Sequence, residues 1–163
     1  NNFGWNPVHE PLADLSLDVF NKMLQYNLTN YWYTTKKLLP LIPQFSGSSI
    51  INISSHSGRK PFENFGAYCM VKSGIDMMTR VFAKELAQKR INVNAIAPGY
   101  VDTDFNRLRT DLPEKNKLKE IIPNGVIATP DDIAELAVLL ASKGGRYING
   151  EVIVIDGGFS SLA

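Results

Sequence analysis

One cysteine and two histidines are the only thiol and imidazole groups in this chain of 163 residues. A single thiol, Cys69, cannot form an internal disulfide, and such scarcity fits a reducing, cytoplasmic setting. His9 and His56, with one cysteine at these spacings, do not make a metal site. A surplus of either charge is missing too. Seventeen Lys and Arg against sixteen Asp and Glu leave a formal charge of +1. No basic excess points to nucleic acid or to an anionic membrane surface. No apolar run reaches transmembrane length, so no membrane partner is expected. The chain opens NNFG, without an initiator methionine or a charged leader, and its natural start is free to lie upstream of Asn1.

The composition that is present is globular: 44% apolar and 20% charged residues, enough for a core and consistent with one domain over 1–163. Repeats, low-complexity tracts and linker-like shifts are lacking. Spacing of Phe20, Leu24, Leu28, Tyr31, Thr35, Leu38 and Ile42 predicts a long helix over Leu17–Pro40, ended or bent by Pro40 and Pro43. The run Ile50 to Ile53 after SGSS predicts a strand buried on both faces of a parallel sheet. A loop over Gly58–Gly66 precedes a second helix reaching about Lys89, striped by Val71, Ile75, Met78, Phe82 and Leu86. Met70, Met77 and Val81 widen that stripe, as for a helix that packs on the sheet and also on a partner subunit, or for a deeply buried core helix.

INVNAIAPG predicts a further strand. From Asp104 to Glu120 nine of seventeen residues are charged, which predicts a solvated, mobile segment. TPDDIAELAVLLAS carries an N-cap threonine, proline at the first helical position and acids in the first turn, a strong helix start. GEVIVIDGG predicts a last buried strand. Strands alternating with helices predict an α/β fold, a Rossmann-like doubly wound parallel sheet.

The stretch AYCMVKSG sets a phenol and an ammonium one helical turn apart. At this spacing Tyr68 and Lys72 share a helix face, with Cβ atoms about 5–6 Å apart. A cation beside a phenol favours the phenolate, and each unit by which the pKa falls is worth about 1.4 kcal/mol. Such a phenol can pass a proton to or from a substrate oxygen. By itself the pair is a weak signal, equally an accident of a helix surface. Ser55 ends the strand IINISS thirteen positions earlier, where parallel α/β sheets place ligands. It reads either as a donor to the same oxygen or as a turn residue. Asn27, poorly suited to a helix interior, reads as exposed, as a bend or as a water holder.

Together these residues resemble the short-chain dehydrogenase/reductase family. NNFG at Asn1–Gly4 is similar to the family's Asn-Asn-Ala-Gly motif. Asn27 in QYNLTN, Ser55 in NISSHSG, and Tyr68 with Lys72 in YCMVK match its Asn-Ser-Tyr-Lys tetrad in order and spacing. PGYVDTD at Pro98–Asp104 resembles the nicotinamide-holding loop. Motifs run from Asn1 to Gly158. The resemblance implies an NAD(P)-dependent oxidoreductase that interconverts a secondary alcohol and a ketone by hydride transfer. Tyr68 would be its general acid/base. Lys72 would tune Tyr68 and grip the nicotinamide ribose, Ser55 would orient the substrate, and Asn27 would complete a water-mediated proton relay. Asn1, Gly4, Tyr68, Lys72, Pro98, Gly99 and Thr103 would contact NAD or NADP. A homodimer or homotetramer is implied as well, together with a small-molecule substrate drawn from sugars and polyols, hydroxysteroids or acyl chains.

Three departures stand out. Phe3 replaces the motif's alanine, so its ring is expected to pack over the cofactor or displace something near it. Val126 stands where many members carry arginine. The family's first three strands, with the glycine-rich turn that takes the pyrophosphate, have no counterpart here. The expectation is therefore that the 163 residues are a fragment that alone binds cofactor weakly or not at all and is inactive, and that NAD and NADP are not distinguished. A non-catalytic remnant, serving assembly or small-molecule binding, is the alternative. Phe105, Leu108 and Leu112 are expected either to close over substrate or only to anchor the charged segment. His56 reads as an exposed loop histidine with a substrate contact as its alternative, and His9 as a surface residue.

Overall fold

The computed structural model describes residues 1–45, 47–107 and 115–161. Three strands, β1 (Ser48–Ile53), β2 (Ile91–Pro98) and β3 (Val152–Ile155), form a parallel sheet in the order β1-β2-β3. Ser48 pairs with Ile91 through to Ile53 with Ile96, and Ala95 with Val152 through to Pro98 with Ile155. β2, the central strand, is the most deeply buried, as its isoleucine- and valine-rich sequence requires. At the other edge of β1, the Asn1 amine donates to the Ile51 carbonyl at 2.8 Å, and the Ile53 amide donates to the Asn1 carbonyl at 2.9 Å.

The helix predicted over Leu17–Pro40 is α1 (Leu17–Leu24), a π-helical segment (Gln25–Thr29) and α2 (Asn30–Leu38), ending in a 3-10 turn (Leu39–Leu41) that contains Pro40. Its buried face is Met23, Asn27, Tyr31 and Thr35. Tyr31 and Thr35 belong to the predicted stripe, whereas Met23 and Asn27 take the buried places expected of Phe20, Leu24 and Leu28. Leu38 is left 49% exposed, while Phe20, Leu24 and Leu28 pack at the rim of a cluster around Met23, Ala67 and Val71.

α3 (Gly66–Leu86) crosses from β1 to β2 and buries Ala83 and Leu86 against Ile50, Ile91 and Val93. Met70, Met77 and Val81 point outward at 49, 57 and 46% exposure, which sets aside the deeply buried reading of this helix. Alternation along β2 sends Asn92 and Asn94 to the carbonyls of Gly145, Arg146 and Ile148, in the segment just before β3. Ser73 Oγ donates to the Gly58 carbonyl at 2.7 Å, tying α3 to the loop that follows β1.

The segment expected to be wholly solvated instead forms α4 (Asp104–Arg107) and α5 (Lys115–Ile121). Leu118 and Ile122 are 6 and 3% exposed, an apolar anchor that the surrounding charges obscure in the sequence. Leu108 and Leu112 lie outside the described residues, as does the side chain of Phe105. α6 (Pro130–Ala141) begins as predicted, with the Asp132 carboxylate accepting from the Thr129 amide at 2.6 Å. Among the described residues no helix is long and apolar enough to cross a membrane.

Candidate active site

β1 and β2 deliver their C-terminal ends to one cleft of about 450 Å³, where ligands of parallel α/β sheets sit. β1 runs out at Ser54 and Ser55 into a 3-10 turn (His56–Gly58). Ser55 Oγ accepts from the Ser57 amide at 3.1 Å, which leaves the Ser55 hydroxyl hydrogen available to donate into the cleft. The turn lies hard against α3. A Cβ on Gly58 would sit 2.9 Å from the carbonyl carbon of Lys72, so this close approach requires glycine.

The first turns of α3 carry Tyr68 and Lys72 to the same cleft. Lys72 is 2% exposed. Its Nζ donates to the Ile53 carbonyl at 3.0 Å and lies 5.5 Å from the ring centroids of both Tyr68 and Tyr31. Burial lowers the amine to about 8, with the charge of Asp76 opposing the fall. Tyr31 Oη lies within donating reach of the Phe3 carbonyl at 2.7 Å and the Ile53 carbonyl at 2.9 Å, and accepts from the Phe3 amide at 3.1 Å. Burial raises the Tyr31 phenol to about 12, so it acts as a neutral clasp.

Gly4, Pro98, Gly99 and Thr103 also line the cleft. A Cβ on Gly99 would come within 2.6 Å of Asp156 Cβ, so glycine is needed where the exits of β2 and β3 meet. Asn1 and Asn27 do not line it. The Asn1 amide donates to Thr35 Oγ1 at 3.1 Å and to Asn52 Oδ1 at 2.8 Å, which knits α2 to β1. Asn27 is fully buried within the π segment. Its Oδ1 accepts from the Trp5 amide at 2.8 Å, and its Nδ2 donates to the Trp5 carbonyl at 2.8 Å and the Met23 carbonyl at 3.1 Å. The bend expected at this residue is thus a π turn whose side-chain amide holds the Trp5 backbone. Phe3, 48% exposed, lines the cleft beside Asn2 and tilts toward Tyr26 at 6.3 Å between ring centroids.

The expectation of an exposed His56 is corrected. Its side chain is buried, 6% exposed, in an aromatic box drawn from three strand exits. Phe62, Tyr100 and Phe159 lie 5.0, 5.3 and 5.3 Å from it between ring centroids. Burial pushes its pKa down to about 4, with the nearby Lys60 charge adding to the fall and Asp156 opposing it. His56 is therefore neutral at neutral pH, and its Nδ1 is buried without a hydrogen-bond partner. Only a tertiary contact set could reveal this, since Tyr100 and Phe159 lie far away in the chain. His9 is half-buried rather than a surface residue, stacked on Phe65 at 4.5 Å.

A family model described as enoyl-(acyl carrier protein) reductase matches residues 1–160. Dehydrogenase/reductase SDR family member 4 of Rattus norvegicus is 33% identical over 162 residues, covering 99% of this chain and 58% of its own length. The 3-oxoacyl-(acyl-carrier-protein) reductase FabG of Chlamydia pneumoniae is 33% identical over 149 residues, covering 91% of this chain and 60% of its own length. The chain thus spans somewhat over half the length of these curated relatives. Among solved structures, ElxO with NADP bound superposes with a TM-score of 0.89 at 29% identity, covering 99% of this chain and 66% of that one.

Proposed function

The chain belongs to the short-chain dehydrogenase/reductase family, and on that premise we propose that it serves, as one domain, in the NAD(P)-dependent interconversion of a secondary alcohol and a ketone. The observation that carries this reading is the buried Lys72 ammonium 5.5 Å from the ring of Tyr68, at the mouth of strands whose exits form the cleft. A cation held there favours the phenolate and eases proton exchange at Tyr68 Oη.

Tyr68 donates a proton to the carbonyl oxygen in reduction and takes it back in oxidation. Ser55, with its hydroxyl hydrogen uncommitted, donates to the same oxygen and orients it. Lys72 keeps two N–H groups beyond the one given to Ile53, enough to hold the ribose hydroxyls of a nicotinamide cofactor. The residues fit such a group. A Cβ on Gly4 would meet no atom within 4 Å, so open space remains over the NNFG segment, and Pro98, Gly99 and Thr103 face it from the exit of β2. The bound nicotinamide supplies the hydride chemistry. Asn27 acts at one remove, by shaping the π turn and fixing Trp5. NADP in the ElxO structure and a 3-oxoacyl substrate in the name of the Chlamydia relative favour a ketone substrate and admit NADP as cofactor. Self-association through the outward flank of α3, at Met70, Met77 and Val81, belongs to the same reading.

The test is cofactor absorbance during incubation with a panel of ketones and secondary alcohols, for the wild type and for Tyr68→Phe. Turnover that falls by about 100-fold or more in the variant, with circular dichroism unchanged, supports the reading. Equal, measurable turnover in both would remove Tyr68 from its role, and none in either would favour the non-catalytic reading.

A further inference from the structure

A buried carboxylate lies beneath the site and has no part in the reading above. Asp76 follows Lys72 by one turn of α3 and is 3% exposed. Its Oδ1 lies 2.5 Å from Ser54 Oγ, and the same hydroxyl lies 3.3 Å from the Lys72 carbonyl oxygen. Asp76 Oδ2 is buried without a hydrogen-bond partner. A carboxylate taken out of water is costly unless something compensates it, and an orphaned oxygen calls for a physical reason.

The charged groups that act on it are all cationic. Lys72 and Arg80 come from α3, and Arg59 from the loop after β1. Burial raises the Asp76 carboxyl, while the hydroxyl of Ser54 and these three cations oppose the rise. Seen from the other side, the Lys72 ammonium has one protein acceptor, the Ile53 carbonyl, and two aromatic faces. Asp76 is the one charge that opposes the fall of its pKa on burial. Ser54 sits between the two residues. It leaves the end of β1 directly before Ser55, gives its one hydroxyl hydrogen to the Asp76 carboxylate, and rests its oxygen 3.3 Å from the Lys72 backbone carbonyl.

We propose that Asp76 is a positioning residue for Lys72: its carboxylate is the counter-charge of the buried ammonium, and through Ser54 it locks the Lys72 turn of α3 to the exit of β1. Strand exit, hydroxyl, carboxylate and amine then form one unit. Ser55 and Lys72 are held in fixed relation because Ser54 and Asp76 clamp the elements that bear them.

The inference rests on the proposed role of Lys72, yet its test reads Lys72 and Asp76 directly and needs neither cofactor nor turnover. Failure of the dehydrogenase reading would leave these readouts intact. Carbon and nitrogen NMR titrations of the labelled chain follow Lys72 Cε and Nζ in the wild type, in Asp76→Asn and in Ser54→Ala, with Asp76 Cγ followed in the wild type. The expected result is an Asp76 carboxylate ionised at pH 7 in the wild type, and a Lys72 pKa lower by about 1 unit or more in Asp76→Asn. Ser54→Ala, which keeps the carboxylate, should give the smaller shift. An Asp76 carboxyl still protonated at pH 7, or a Lys72 titration unchanged in Asp76→Asn, overturns the proposal. The wild-type measurement decides even if the variant fails to fold.

Discussion

Lys72 and Tyr31, far apart in sequence, converge on one carbonyl oxygen, that of Ile53, at 3.0 and 2.9 Å. The last carbonyl of β1 thereby joins the amine of the site to α2. Tyr31 extends the link to both the amide and the carbonyl of Phe3.

Removal of that phenol should loosen the NNFG segment. Tyr31→Phe leaves the Phe3 amide without its side-chain acceptor and the Phe3 carbonyl without its donor, while Ile53 keeps Lys72. Loss of a buried hydrogen-bonding group of this kind costs about 1–3 kcal/mol. Urea unfolding should show that loss, with hydrogen exchange faster at residues 3 and 5. Wild-type stability would mean that water replaces the clasp.

Lys72 should oppose folding while it serves the site. Its folded pKa of about 8 lies below the ordinary 10.5. The unfolded chain therefore binds more protons between those values, and stability rises as pH climbs through that window. Below pH 8 the penalty is present in full, on the order of 3 kcal/mol. Lys72→Met should lose this rise between pH 8 and 10.5, and should lose turnover. A variant whose stability still climbs through that window would show that another group supplies it.

His56 should govern part of the acid limb of stability. With its folded pKa near 4 and its ordinary value 6.5, protonation favours the unfolded chain. Its contribution is intact above pH 6.5 and is lost as pH falls toward 4. Melts between those limits should lose on the order of 3 kcal/mol in the wild type. In His56→Phe the box with Phe62, Tyr100 and Phe159 persists and this loss should vanish. Parallel curves would contradict the burial of a neutral imidazole.

Gly58→Ala should act on the site from behind. Its Cβ would meet the Lys72 carbonyl carbon at 2.9 Å and the Ser73 amide nitrogen at 3.1 Å, backbone atoms that cannot rotate aside. A cost of about 1–3 kcal/mol in thermal unfolding is expected, with turnover falling as the turn after Ser55 lifts from α3. An unchanged melting temperature would mean that the loop shifts freely.

The parts of this arrangement that were legible in sequence share a property: each is local. Tyr68 and Lys72 stand one helical turn apart in the chain and meet in space for that reason alone. The cap at Thr129 and Asp132 is set within three residues, and strand β1 announces itself by IINI. What stayed hidden depends on distant partners. His56 is buried by aromatics delivered from three strand exits, and nothing in HSGR signals that. Asp76, read locally, is a charge on a helix; only the approach of Ser54 makes it part of the site. The π segment leaves a single trace, an asparagine where helices avoid one, and that Asn27 side chain is buried within it. The charged stretch from Asp104 misled because density of charge masks one anchoring leucine, Leu118.

The central claim, that the Lys72 ammonium makes the Tyr68 phenol a working acid and base, is met most directly by the titration of that phenol. With tyrosine labelled at Cζ and Tyr68 assigned through Tyr68→Phe, NMR follows its ionisation in the wild type and in Lys72→Met. Phenolate should appear at lower pH in the wild type than in the variant. Coincident titrations in two folded proteins would contradict it.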